Sequence, residues 1–241
     1  MKPERIVDGV HRILKGYVNA YLIEADDGLT IVDTGMPKRL EHIMGAVRAL
    51  GHAPGDVNTI LLTHHHVDHM GTLARLARTT GATVYAPAID GAIIRGQTAA
   101  PPPNRAVVTG RLLGPILVRL EPKREPATID VEIGDGQRLD VGGGVTAIHT
   151  PGHTAGHTSY LLPREGGILL VGDAAGARGT KVAPPIDAIF GMFTEDLDEA
   201  RRSFQKLASF EFDLMLPGHG SVVRSGAAAL VRAAAPRFAV P

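Results

Sequence analysis

Five short apolar runs, spread along most of the chain, each lead into a side chain able to bind a cation or move a proton. They are Ile31-Val32-Asp33, Ile60-Leu61-Leu62-Thr63-His64, Thr146-Ala147-Ile148 leading on to His153, Leu169-Leu170-Val171-Gly172-Asp173, and Leu214-Met215-Leu216-Pro217-Gly218-His219. Short aliphatic runs bounded by Gly, Pro and Asp read as strands. Strands gathered into sheets carry the following loops to one rim, where side chains on rigid supports can act together. The pattern predicts an α/β chain whose chemistry lies at one edge and draws on residues more than 150 positions apart.

The densest of these loops is His64-His65-His66-Val67-Asp68-His69, between an apolar run at 59–62 and a helical pattern starting near Gly71. In extended chain, residues i and i+2 share a face, so His64 and His66 converge on one point. Asp68 and His69 are re-aimed as the chain turns into the helix and reach a second point close by. His65 lies between two candidate ligands and points away from them. Nitrogen and oxygen donors of this kind suit a borderline divalent cation. The chain has no cysteine, which excludes disulfides and thiolate ligands and leaves His, carboxylate and water.

The other elements follow from punctuation and period. Residues 5–14, 17–24 and 29–32 read as antiparallel strands with turns at Asp8-Gly9 and Lys15-Gly16. Leu40, Ile43, Met44, Val47 and Leu50 fall at helical spacing, as do Leu73, Leu76 and Ala77, and later Leu197, Ala200, Phe204 and Leu207. Thr194-Glu195-Asp196 reads as an N-cap with an acidic first turn opening the helix of Leu197. Residues 96–126 hold six prolines around one apolar island, 112–118, and read as a weakly structured insert, either a lid or a surface connector. No repeat or shift in composition divides the chain, so one domain over 1–241 is expected.

Charge narrows the function classes. Twenty-five basic residues balance 25 acidic ones, and no basic run marks a nucleic-acid or anionic-membrane surface. The first residues hold no apolar leader segment, and a cytoplasmic protein acting on a small-molecule substrate is the expectation. A homodimer is the assembly guessed.

His64-x-His66-x-Asp68-His69, Thr150-Pro151-Gly152-His153, Gly172-Asp173 and Pro217-Gly218-His219-Gly220, in that order, resemble the metallo-β-lactamase superfamily, and Asp33-Thr34-Gly35 matches its leading aspartate motif. The resemblance covers nearly the whole chain. It implies a four-layer αβ/βα sandwich, two mixed β-sheets flanked by helices, with two divalent metal ions, usually zinc, in the cleft (iron or manganese being alternatives). It also implies roles. His64, His66 and His153 would hold one ion, Asp68, His69 and His219 the other, and Asp173 would bridge. Asp68 would orient a bridging hydroxide and pass its proton to the leaving group. Asp33 would orient a ligating histidine, and His157 would either support a ligand or be purely structural. His11, His42 and His52 read as surface residues, His149 as a strand residue near the site.

Such a centre sets a mechanism class: hydrolysis of a carboxylic ester, lactone or thioester. Neutral charge disfavours nuclease relatives. Thioesterases of the glyoxalase II type use a basic C-terminal region, for which only Arg224, Arg232 and Arg237 are candidates. Related lactonases place a tyrosine after the bridging aspartate, where this chain has Ala174; Tyr17, Tyr21, Tyr85 and Tyr160 are the possible substitutes. Ile189, Phe190, Met192 and Phe193 could form an apolar wall for an acyl group or simply anchor a loop. The alternatives are a mononuclear-iron persulfide dioxygenase-like oxidoreductase and a metal-stabilised protein without catalysis.

Overall fold

The computed structural model describes residues 2–120, 122–179, 185–189 and 191–239. Strands β1 (Glu4–Val7), β2 (Val10–Leu14), β3 (Ala20–Ala25) and β4 (Gly28–Val32) form the antiparallel meander expected from the short turns between them. From β4 onward the pairing becomes parallel, through β5 (Val57–Leu61), β6 (Thr83–Pro87) and β7 (Val131–Ile133). Parallel neighbours need crossovers. Helix α1 (Leu40–Ala49) makes the first, the single turn α2 (Val67–Met70) with α3 (Leu73–Thr80) the second, and α4 (Gly91–Ile94) with α5 (Val108–Leu120) the third.

The second sheet runs in the order β14-β11-β10-β9-β8, from β8 (Arg138–Leu139), β9 (Val145–His149), β10 (Thr158–Leu162), β11 (Ile168–Gly172) and β14 (Leu214–Pro217). Only β11 and β14 pair in parallel, joined across α6 (Leu197–Leu207) and a small ribbon of β12 (Gly176–Ala177) and β13 (Ile186–Asp187). Helix α7 (Ala227–Ala234) follows. Both sheets are therefore mixed.

Strand alternation creates three cores and hence four layers. Leu22, Ile31 and Ile60 face outward against Ile43, Val47 and Leu76 of α1 and α3. Their neighbours Ile23, Val32 and Leu61 face inward, against Tyr160, Leu162, Leu170 and Leu216 of the second sheet. On its far side that sheet presents Leu169, Val171 and Met215 to Phe204 and Leu207 of α6 and Val231 of α7. A strand buried on both faces reads as a continuous apolar run, which is why β5 and β11 stand out in the sequence. Truncating one such residue, Leu61→Ala for example, costs about 2–5 kcal/mol.

Two tyrosines tie the sheets together near the rim. Tyr21 Oη donates to the Pro217 carbonyl at 2.7 Å, and Tyr160 Oη to that of Leu62 at 2.6 Å. No helix of the described residues is long and apolar enough to cross a membrane.

Three local expectations change. The 96–126 stretch holds a 13-residue helix, α5, through Gly114 and Pro115. Two adjacent helix-breaking residues argue against helix on propensity alone, but Gly110 and Gly114 let α5 lie close against Asn104 and Pro103. His11 is buried, its Nε2 2.6 Å from Glu24 Oε1, because strand β2 has no solvent face there. The cap of α6 is Asp196, whose Oδ1 accepts from the amides of Asp198 and Glu199, both at 2.9 Å. Thr194 instead turns toward His153.

Candidate metal centre

The rim is built from strand ends. Residues 63–69 continue from β5, and His153 lies in the turn between β9 and β10. Asp173 directly follows β11, and His219 follows β14 by two residues. All seven predicted donors meet there. His64, His66 and His153 form one cluster, His64, His69 and Asp173 a second, and Asp68, His69 and His219 a third, the donor atoms of each lying within 4.8 Å of one another. His64 Nε2 is 3.1 Å from His66 Nδ1, which is 3.0 Å from His153 Nε2. Asp173 spans the groups, with Oδ2 3.1 Å from His153 Nε2 and 3.3 Å from His219 Nε2. His219 Nε2 also lies 3.2 Å from Asp68 Oδ2.

The partners behind the rings fix which nitrogen carries the proton. Thr63 Oγ1 donates to Asp33, so toward His64 Nδ1, 2.9 Å away, it acts as acceptor. His69 Nδ1 donates to Asp33 Oδ2 at 2.7 Å, and His219 Nδ1 to the Tyr17 carbonyl. Each of these rings is thereby left with its Nε2 facing the centre, open to a proton or a cation. Imidazole nitrogens gathered at 3.0–3.1 Å, beside a fully buried Asp173 Oδ1 with no hydrogen-bond partner, are an arrangement a divalent cation would satisfy. The donor set fits one or two such ions.

The electrostatics agree. Burial pushes His64 and His66 well below their ordinary range, assisted by the neighbouring imidazoles. Burial also disfavours charge on His69 and His219, yet Asp173 and Asp68 outweigh it and raise them to about 9 and about 11. In each case a proton stands where a bound cation would neutralise the carboxylates. Asp173 itself is held well below the carboxylate range: burial opposes this, but His69 and His153 prevail.

Asp33 orients His69, as expected of it. Its backbone sits in the left-handed region at φ 60°, a conformation Asp tolerates better than most residues. His157 supports Asp173: its Nδ1 is paired with Thr150 Oγ1, and its Nε2 accepts the Asp173 amide at 2.9 Å. Burial lowers its pKa to about 3, so it stays neutral. His65 turns away, Nδ1 3.0 Å from Asp90 Oδ2. Gly218 gives clearance, since a Cβ there would overlap Asp173 Oδ1 and come within 2.6 Å of His69 Cε1.

Asp90 was not legible in the sequence. It is almost fully buried and accepts from the His65 amide, Thr154 Oγ1 and the Gly156 amide, at 3.0, 2.9 and 2.8 Å. One carboxylate thus holds the loop after β5 to the loop carrying His153. A lone Asp before a Gly looks like any turn residue, and nothing around it announces this role.

A cavity of about 590 Å³ opens over the donors, lined by the apolar Ile189, Met192, Phe193, Met36 and Leu120 together with Asp68 and His219. Phe190, also expected in an apolar wall, lies outside the described residues. Of the four tyrosines only Tyr17 borders the cavity. Tyr21 and Tyr160 are committed to backbone carbonyls, and Tyr85 packs between the sheets.

Comparison with known proteins points one way. The chain is 32% identical over 216 residues to the uncharacterized protein YobT of Bacillus subtilis, covering 86% of this chain and 85% of that one. It is 33% identical over 150 residues to a hydroxyacylglutathione hydrolase of Pseudomonas aeruginosa, covering 62% of this chain but only 43% of that enzyme. The Rm3 metallo-β-lactamase structure superposes with a TM-score of 0.74 at 24% identity, over 99% of this chain and 92% of that one, a likeness of fold. A family model described as the metallo-beta-lactamase superfamily matches residues 14–219, and with all seven donor residues inside that span, the chain belongs to this superfamily.

Proposed function

We propose that the protein is a metal-dependent hydrolase with a dinuclear divalent-metal centre, zinc foremost, that cleaves a carboxylic ester, lactone or thioester carrying an apolar group. The observation that carries this reading is the position of Asp173 Oδ2, 3.1 Å from His153 of one donor group and 3.3 Å from His219 of another, beneath an apolar-walled cavity. His64, His66 and His153 would hold one ion, Asp68, His69 and His219 the other, with Asp173 between them. Divalent ions bound there supply a nucleophile from water near neutral pH and an electrophile for a carbonyl or leaving group.

The chain's own residues do the rest. Asp68 faces the cavity and is ionised at neutral pH: burial opposes its charge, but His69 and His219 outweigh it. It can therefore accept a proton from water and deliver it to the departing oxygen or sulfur. Tyr17 stays protonated, since partial burial and the Asp68 charge both raise it. Its hydroxyl is the one tyrosine donor at the cavity available to a developing oxyanion. Ile189, Met192 and Phe193 would take an acyl chain or similar group and exclude water from it.

The test is metal content of protein purified without added metal or chelator, followed by a panel of lactones, thioesters and esters of graded chain length. Near two equivalents of a redox-inert ion, with turnover rising with chain length, is the expected result. One equivalent of iron with persulfide-dependent oxygen uptake would overturn it in favour of an oxidoreductase.

A further inference from the structure

Helix α5 is seated the wrong way round for a soluble helix. Gly110 and Gly114 are packed against Asn104 and Pro103, while Val108, Leu112, Leu113, Ile116, Val118 and Leu120 face solvent. Val108, Leu112, Ile116 and Leu120 recur at four-residue spacing along one face, and the last three are 64%, 58% and 72% exposed. A surface helix normally does the reverse, and a contiguous exposed apolar face marks a contact surface.

Two further observations say what that contact is. Arg111 and Arg119 project from α5, and Arg105 precedes it; all three are exposed and form no ion pair among the described residues. At 100° per residue Arg119 falls between Val108 and Leu112, within the apolar face itself. The helix sequence contains no carboxylate. Two copies pressed together through this face would bring like charges into apolar contact with nothing to neutralise them. A surface of anionic headgroups over acyl chains satisfies both the cations and the leucines. The second observation is continuity: Leu120, at the end of the stripe, is part of the cavity wall beside Phe193.

We propose that α5 is a docking face for an anionic lipid surface, lying in its plane with the cavity mouth against the acyl layer. The balanced charge of the whole chain conceals this local excess. Resting on the hydrolase reading, the proposal narrows the substrate to an amphiphile with an acyl chain, drawn from that surface past Leu120 and Phe193.

The full chain is sedimented with vesicles of phosphatidylcholine containing phosphatidylglycerol, and with vesicles of phosphatidylcholine alone. Selective binding to the anionic vesicles, weakened by salt, is expected. Ile116→Glu should reduce that partition at least about tenfold, and Arg111→Glu with Arg119→Glu by a similar factor. These side chains are exposed, so the variants should keep the parent's melting temperature and its turnover of a water-soluble ester. Failure to bind anionic vesicles, equal binding to both compositions, or a concentration-dependent dimer dissolved by Ile116→Glu would each overturn the proposal. Because sedimentation is read without turnover, its failure leaves the hydrolase reading standing, and failure of the metal assay leaves the docking result intact.

Discussion

The donor rim and helix α5 border the same cavity and are built on opposite terms. At the rim, four of the seven donors are held from behind: His64 by Thr63, His69 by Asp33, His219 by the Tyr17 carbonyl, Asp173 through His157. Those partners come from chain at the ends of several strands of two sheets, so the rings of His64 and His69 cannot turn without breaking a buried hydrogen bond. Along α5 the large side chains have few internal partners and face outward. Rigid support suits atoms that must keep their spacing to a fraction of an ångström. An apolar wall needs only shape and can lie on an element attached by a few glycine contacts. The difference separates the residues that set the chemistry from those that set what is brought to it.

That separation can be broken at several points. The largest effect is expected from Asp173→Asn, which removes the charge shared by both donor groups. Turnover should fall on the order of 10³-fold, equivalent to several kcal/mol of lost electrostatic stabilisation, and bound metal should drop from near two equivalents. Asp33→Asn spares every ligand yet leaves His69 without its carboxylate. Metal retention against a chelator should weaken by about 10–100-fold, and a variant that holds metal like the parent would show that the backing layer is dispensable. On the soft side, Phe193→Ala should leave metal content unchanged and raise KM for long-chain substrates by roughly tenfold, in line with 1–3 kcal/mol for apolar groups in a pocket. An unchanged chain-length series would make the wall a mere loop anchor.

The smallest effect lies away from both regions and serves as a control. Glu4 is drawn down from 4.5 to about 2: partial burial opposes this, but Arg12 and Lys15 outweigh it. A lowered carboxylate pKa contributes stability that is full above 4.5 and lost as the pH falls from there toward about 2. Glu4→Gln should therefore cost about 1 kcal/mol or less at neutral pH, given its partial exposure. The gap between the variant and parent melting curves should close below pH 4.5.

Much of this molecule was readable residue by residue. The apolar runs at β4, β5, β9, β11 and β14 are short-range signals, and so is the donor that follows each. The H-x-H-x-D-H spacing by itself places two donor groups within one loop, because strand geometry alone puts i and i+2 on a shared face. The stripe of α6 and the role of Asp33 were legible for similar reasons.

What the tertiary structure decided is non-local. That Asp90 ties the two halves of the rim, that His11 is buried, and that Tyr17 alone of four tyrosines reaches the cavity depend on which strands lie opposite one another. Helix α5 is the clearest case. Its sequence contains Gly-Pro where a helix should break and leucines where a core should be, and local propensity argues for a loop packed inward. The glycines are instead a packing surface, since only a residue without Cβ lets the helix lie so near Asn104, and Leu112, Leu113 and Leu120 are left facing out. Local sequence determined the donors and the strands that carry them, because their geometry is set within a few bonds. Orientation of the insert was decided by steric contact with chain elsewhere in the fold, which no window of sequence contains.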